Sequence, residues 1–223
     1  FTSHSINFKG MCEDIQKIPA GSAIVLHPCC HNPTGVDLTF DQWKELLDLI
    51  KKQNILPFFD FAYQGFKEGV HEDAQPVRYF AAQGHEMLVA NSLSKSFGMY
   101  NERVGALSII LNQKDLYNKV RSHIKQIIRG NYSNPPAHGA KVAAHILSSE
   151  DLKEAWLGEL SSMRHRIMAM RQDFFHKLQK HIPEKDWSFI QHQYGFFSYT
   201  GLSQEQTKLL MAQYGIYMPA DGR

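Results

Sequence analysis

The sequence predicts an α/β fold, a mainly parallel sheet with flanking helices, followed by part of a smaller α+β unit. Three observations point there. Short apolar runs alternate with helix-period segments through the first half of the chain, the order expected of βαβ units. One long amphipathic pattern begins near residue 151. Beyond Pro183 the pattern changes again to shorter strand-like and helical pieces. These changes predict one unit over residues 1–150 and a second over residues 151–223.

Taken in order, residues 23–26 form the first apolar run. A helix follows over 41–52, where Thr39 with Gln42 three residues later fits a capping box, and Trp43, Leu46, Leu47 and Ile50 share one face. A strand is expected over 55–59, with Pro57 near its start because proline cannot donate a ladder hydrogen bond. Helix 76–82, strand 87–90, strand 104–111 and helix 114–128 continue the alternation. The Asn134-Pro135-Pro136 break separates the last of these from a short helix over 140–147. From residue 151, Leu152, Trp156, Leu160, Met163, Ile167, Met170, Phe174 and Leu178 recur every three or four positions, predicting one long helix. Its methionine and aromatic stripe is expected to be core, and Arg164-His165-Arg166 a solvated face. Residues 189–200 read as a strand, 204–214 as a helix, and a terminal strand is expected from Ile216.

Composition narrows the function classes. The 223 residues are 43% hydrophobic and 21% charged, an ordinary globular balance. Twenty-four basic against 22 acidic residues leave a net charge of +2, too weak a field to imply nucleic acid or an anionic membrane as partner. No apolar run approaches the roughly 20 residues that span a bilayer. The three cysteines, two of them adjacent, do not make a disulfide framework, so reduced thiols in the cytoplasm are expected. Cys29-Cys30-His31 lacks the spacing of a zinc site, and no metal is expected.

Chemistry concentrates at the ends of the first strands. Lys95 lies in Ser92-Leu93-Ser94-Lys95-Ser96-Phe97-Gly98, a hydroxyl-rich turn just after a strand-like run. A lysine in such a turn is ordinarily a surface lysine, but the carboxyl ends of parallel strands are where α/β sheets bind ligands. Ser92, Ser94 and Arg103 would suit a phosphate, with hydroxyl donors and a forked cation. Asp60 ends the preceding strand, with Tyr63 just beyond it. The turn His31-Asn32-Pro33-Thr34-Gly35 follows an earlier strand, so three strand ends face one crevice.

Five motifs, His31-Asn32-Pro33-Thr34-Gly35, Asp60-Phe61-Ala62-Tyr63-Gln64-Gly65-Phe66, Ser92-Leu93-Ser94-Lys95, Asn101-Glu102-Arg103-Val104-Gly105 and Asn131-Tyr132-Ser133-Asn134-Pro135-Pro136, resemble the aspartate aminotransferases in identity and order. The resemblance runs from about Gly21 to Arg223. It implies the fold-type I large domain of pyridoxal-phosphate-dependent transferases over 1–150, then an interdomain helix and part of the small domain. It implies pyridoxal 5'-phosphate as cofactor, with Lys95 forming the imine and moving the substrate proton, and Asp60 pairing with the ring nitrogen. Tyr63 and Asn32 would hold the phenolic oxygen, while Ser92, Ser94 and Arg103 would hold the phosphate.

The same resemblance implies dicarboxylic amino-acid and 2-oxo-acid substrates. Their α-carboxylate would meet Arg223 and Asn32, and their distal carboxylate Arg129, contributed by the other subunit of a homodimer with shared active sites. Alone, Arg129 could simply complement a helix dipole. Phe197 matches a family aromatic near the substrate, although a buried strand phenylalanine explains it equally well. Family segments that contribute a phosphate loop and a ring-stacking tryptophan have no counterpart here. The chain is therefore expected to be truncated at both ends and nearly inactive alone. An aromatic-amino-acid aminotransferase and an inactive fragment or binding module are the competing expectations.

Overall fold

Three parallel strands and one antiparallel strand form a single sheet whose spatial order, β1-β2-β3-β4, is also the chain order. The computed structural model describes residues 4–223. Strands β1 (Ala23–Leu26), β2 (Leu56–Phe61) and β3 (Met87–Ser92) are joined by helices α2 (Phe40–Lys52) and α3 (Gln75–Ala82), after a first helix α1 (Phe8–Ile15). The register sets Phe59 opposite Leu26 on one side and Val89 on the other. Pro57 is the second residue of β2, and pairing with β3 begins only at Phe58, so its missing N–H interrupts no inner ladder.

Strand β4 (Gly105–Ile110) runs antiparallel to β3. The connection over residues 93–104 contains only turns, with no crossover helix of the kind that joins parallel strands. The mainly parallel sheet read from the sequence is the one that forms, with three parallel strands and an antiparallel fourth.

Thr39 caps α2 through the expected capping box with Gln42. The helix places Trp43, Leu46, Leu47 and Ile50 against the sheet, where Phe59 meets Phe80 of α3 edge-on at 5.2 Å and Trp43 at 6.0 Å. Each fully buried side chain of this size contributes roughly 1.5–3 kcal/mol. This core makes one face of β2 rigid and leaves the alternate residues, ending at Asp60, on the other face. Helix α1 was not legible in the sequence; Asn7 caps it by accepting from the Gly10 N–H at 3.0 Å, and Ile15 anchors it in the core.

After β4 come α4 (Leu116–Tyr132), α5 (His138–Ser148) and the 32-residue α6 (Glu150–His181), capped by Ser149. No described residue of α4 is buried, and Tyr117, Ile127 and Tyr132 are more than half exposed. The stripe of α6 is only partly core. Leu160 is buried and Trp156 and Ile167 pack against the core, but Leu152, Met163, Met170 and Phe174 are each at least 40% exposed. The predicted solvated triplet holds for His165 and Arg166, whereas Arg164 is half-buried and reaches the Gly65 carbonyl at 3.4 Å.

The strand expected over 189–200 does not form. A 3-10 turn (Ser188–His192) leads into an irregular loop, because Gly195 takes a left-handed φ of 78° and the Tyr194 N–H donates to the Gly35 carbonyl instead of to a ladder. Helix α7 (Gln204–Tyr214) has its own capping box from Ser203 and Gln206 and ends at Gly215 in the left-handed region. The terminal strand from Ile216 is also absent. The Ile216 N–H closes back onto Leu210, and no neighbouring strand lies beside it among the described residues. No described helix is long and apolar enough to cross a membrane.

Candidate active site

The carboxyl ends of β1, β2 and β3 lie side by side, and each delivers polar groups to the same edge. Asp60, next to last in β2, is paired in register with Ala90 of β3. His27, directly after β1, reaches it with Nε2 3.5 Å from Oδ2 of Asp60. His27 accepts on its other nitrogen from the backbone N–H of Asn32 at 3.2 Å. The Asn32 side-chain amide donates to the Tyr63 hydroxyl at 3.3 Å. Lys95 brings its Nζ over the Tyr63 ring, 4.9 Å from the centroid, and makes no ion pair among the described residues. Asp60, His27, Asn32, Tyr63 and Lys95 thus form one connected chain.

Local structure explains the placement. Asp37 accepts the backbone N–H groups of Cys30 and His31 at 2.8 and 2.9 Å, folding the turn that ends in the cis Asn32–Pro33 bond. On the other side, buried Asp73 accepts four backbone N–H groups, from Gly65, Lys67, Glu68 and Gly69, and so shapes the segment just after Tyr63. Burial pushes the Tyr63 phenol up, opposed by the hydrogen bond from Asn32. Burial pushes the Asp37 carboxyl up as well, opposed by those two backbone donors.

Ser92 and Ser94 lie at the β3–β4 turn, where the Ser92 hydroxyl accepts from the Ser94 N–H at 3.2 Å. Ser92 pairs with Gly105, and the Leu93 N–H donates to the Val104 carbonyl, so the turn that holds Ser94 and the segment that holds Arg103 leave the sheet side by side. Gly105 is required for this approach, since a Cβ there would meet the Asn91 carbonyl oxygen at 2.4 Å. The Arg103 side chain is exposed and donates to the Tyr100 carbonyl at 3.0 Å.

Arg223 joins the cluster from the far end of the chain. It donates to the side-chain amide oxygen of Asn32 at 3.1 Å and pairs with Asp221 at 2.9 Å. Its guanidinium carbon lies 5.5 Å from the centroid of the Phe197 ring, which stands edge-on to Tyr63 at 6.0 Å. Arg129 stands apart, exposed on α4 and bonded to Ser133. A separate cavity of about 760 Å³ opens along β1, sharing His27 and Asn32 with the site while Val25 at the sheet edge stays exposed.

Two side chains, His27 in the site and Arg171 beneath the loop that carries Phe197, escaped sequence reasoning. His27 had a detectable signal, a titratable side chain one residue past a strand end. Arg171 falls eleven residues after Leu160 and four after Ile167, on the apolar stripe of α6, where a cation is out of place. No group of acidic, histidine or cysteine side chains suited to a metal ion occurs among the described residues.

As a set, these side chains offer an amine, an acid, a phenol with an amide, two hydroxyls with a guanidinium, and a second guanidinium. That is a donor set for a ring carrying an aldehyde, a phenolic oxygen, a basic nitrogen and a phosphate, with a carboxylate alongside. The profile of aminotransferase class I and II matches residues 2–223. The chain is 48% identical over 221 residues to an aspartate aminotransferase of Pseudomonas aeruginosa, covering 99% of this chain and 56% of that protein. It is 43% identical to an aromatic-amino-acid aminotransferase of Escherichia coli, again over 99% of this chain and 56% of the relative. The structure of an aromatic-amino-acid aminotransferase from Burkholderia pseudomallei, covalently bound to pyridoxal phosphate, superposes with a TM-score of 0.97 at 46% identity, covering 99% of this chain and 55% of that one. The chain spans little more than half the length of these relatives.

Proposed function

This chain belongs to the aminotransferase class I and II family, and on that premise we propose that the whole protein is an aspartate aminotransferase, moving an amino group between L-aspartate and 2-oxoglutarate to give oxaloacetate and L-glutamate. Pyridoxal 5'-phosphate supplies, when bound, the electron sink for the carbanion at the amino-acid Cα. The residues divide the remaining work. Lys95 anchors the cofactor and moves a proton at the substrate Cα. Asp60 keeps a proton on the ring nitrogen, steadied by His27 at 3.5 Å. Tyr63 and Asn32 orient the phenolic oxygen, and Ser92, Ser94 and Arg103 bind the phosphate. Arg223, with Asn32, takes the substrate α-carboxylate.

Arg129 reads the distal carboxylate of a dicarboxylic substrate from the neighbouring subunit of a homodimer. Its exposure, on a helix whose apolar residues lie uncovered, supports that assignment. A cytoplasmic location fits the three unpaired thiols.

One observation carries the proposal: the unbroken contact chain Asp60, His27, Asn32, Tyr63, Lys95 across adjacent strand ends. Borohydride reduction of the whole protein loaded with pyridoxal 5'-phosphate, followed by peptide mapping, should label Lys95; a label on another lysine overturns the assignment. An aromatic-amino-acid aminotransferase is the second reading, favoured by the likeness to enzymes of that name. Turnover of phenylalanine at rates above those of aspartate would select it.

A further inference from the structure

We propose that Arg171 is a positioning residue for the carboxylate-binding Arg223, acting through the loop over residues 195–198; this rests on the transaminase reading above. Arg171 is 8% exposed in the middle of α6, and no carboxylate pairs with it among the described residues. Burying a guanidinium without a counter-ion is costly unless its donors are all used. Here three hydrogen bonds go to one short loop: Nε donates to the Ser198 hydroxyl at 3.1 Å, and one terminal nitrogen donates to the carbonyls of Gly195 at 2.8 Å and Phe197 at 3.0 Å. A planar fork holding three acceptors fixes orientation as well as distance. Burial lowers the proton affinity of this guanidinium, consistent with a cation held by dipoles alone.

The opposite side of the loop is fixed to the Asn32 turn. The Tyr194 N–H donates to Gly35 at 2.7 Å, and Gly195 lies so close to Cys30 that a Cβ would come within 2.5 Å of the cysteine Cβ. Between these two attachments the loop presents Phe197, whose ring faces the Arg223 guanidinium at 5.5 Å and the Tyr63 ring at 6.0 Å. Phe196, still exposed, lies 4.7 Å from Phe66. Moving the Phe197 carbonyl off Arg171 shifts that ring, and with it the surface against which Arg223 is oriented.

A purely structural role for Arg171 would lower stability without selecting any kinetic parameter. The test uses the whole holoenzyme with Arg171→Met, Arg171→Lys and Phe197→Leu. Expected for Arg171→Met is a rise of about tenfold in KM for aspartate and in the Kd of succinate, a dicarboxylate without an amino group, with kcat changed much less. Arg171→Lys, which keeps the charge and loses the fork, should show a smaller rise of the same kind. Because both substitutions act on the same ring, Arg171→Met combined with Phe197→Leu should be no worse than the more severe single change. Unchanged KM and succinate affinity with a lowered melting temperature, or strictly additive effects, would overturn the inference. If Arg171→Met does not fold, Arg171→Lys and Phe197→Leu carry the same KM-against-kcat comparison. Loss of the cofactor absorption band in the unmutated enzyme would instead strike the transaminase reading itself.

Discussion

The indole N–H of Trp156 donates to the carbonyl oxygen of Ser96 at 2.7 Å, and its ring stacks on Phe97 at 4.5 Å with 19° between the planes. Helix α6 thereby grips the turn that carries Lys95, one residue before Ser96. Trp156→Phe keeps most of the stacking and loses the donor, so it should cost about 1 kcal/mol. Trp156→Ala, which also empties the contact, should cost about 3 kcal/mol. Urea midpoints at constant slope measure both, and kcat should fall in each because the lysine turn loosens. Full activity in Trp156→Ala would show that the turn holds itself.

Asp73 organises the other side of the site from a buried position, accepting four backbone N–H groups between Gly65 and Gly69. Asp73→Ala strands those donors in a dry environment and should cost about 3 kcal/mol, with Asp73→Asn milder because one acceptor oxygen remains. Amide exchange should accelerate first over residues 65–69. Uniform acceleration across the whole sheet would argue that the loop has no separate stability.

Much of this arrangement was legible because the signals were local. The capping box at Thr39 and Gln42, the apolar face of α2 and the apolar runs that form β2 and β3 each need only a few neighbouring residues, and each is present in the fold. Where tertiary contacts decide, the reading failed. Residues 189–200 have a strand-like composition, yet their backbone partners are Arg171 and Gly35, both remote in sequence. Phe197, read as either a strand core residue or a site aromatic, sits on a loop facing Tyr63 and Arg223. The α6 stripe gave the helix correctly but not what covers it, since periodicity reports a face and not its partner.

His31 supplies a pH dependence with a defined sign. Burial, with a smaller contribution from His27 at 4.9 Å between rings, holds its proton affinity below the ordinary value of 6.5. A histidine whose folded pKa is depressed stabilises the fold above its unfolded pKa and loses that stabilisation as pH falls through 6.5 toward the lower folded value. His85 behaves alike, burial again being the largest cause. The unfolding midpoint of the whole protein should therefore drop below about pH 6.5, and less steeply in His31→Gln. Parallel curves for the two proteins between pH 8 and 5 would remove His31 from this account.

The homodimer assignment makes a complementation prediction. Arg129→Leu should cut kcat/KM for aspartate by about two orders of magnitude, the scale of unpairing one charged partner, and spare phenylalanine. Lys95→Ala abolishes the amine of its own subunit. If Arg129 serves the neighbour's site, a heterodimer of these two variants contains one site with both defects and one with neither. Mixing equal amounts of the two inactive proteins and letting subunits exchange should then recover roughly a quarter of the unmutated activity, since half of the dimers are mixed and each has one good site of two. A mixture as inactive as its components would mean that Arg129 and Lys95 serve the same subunit's site, because every site would then carry one lesion.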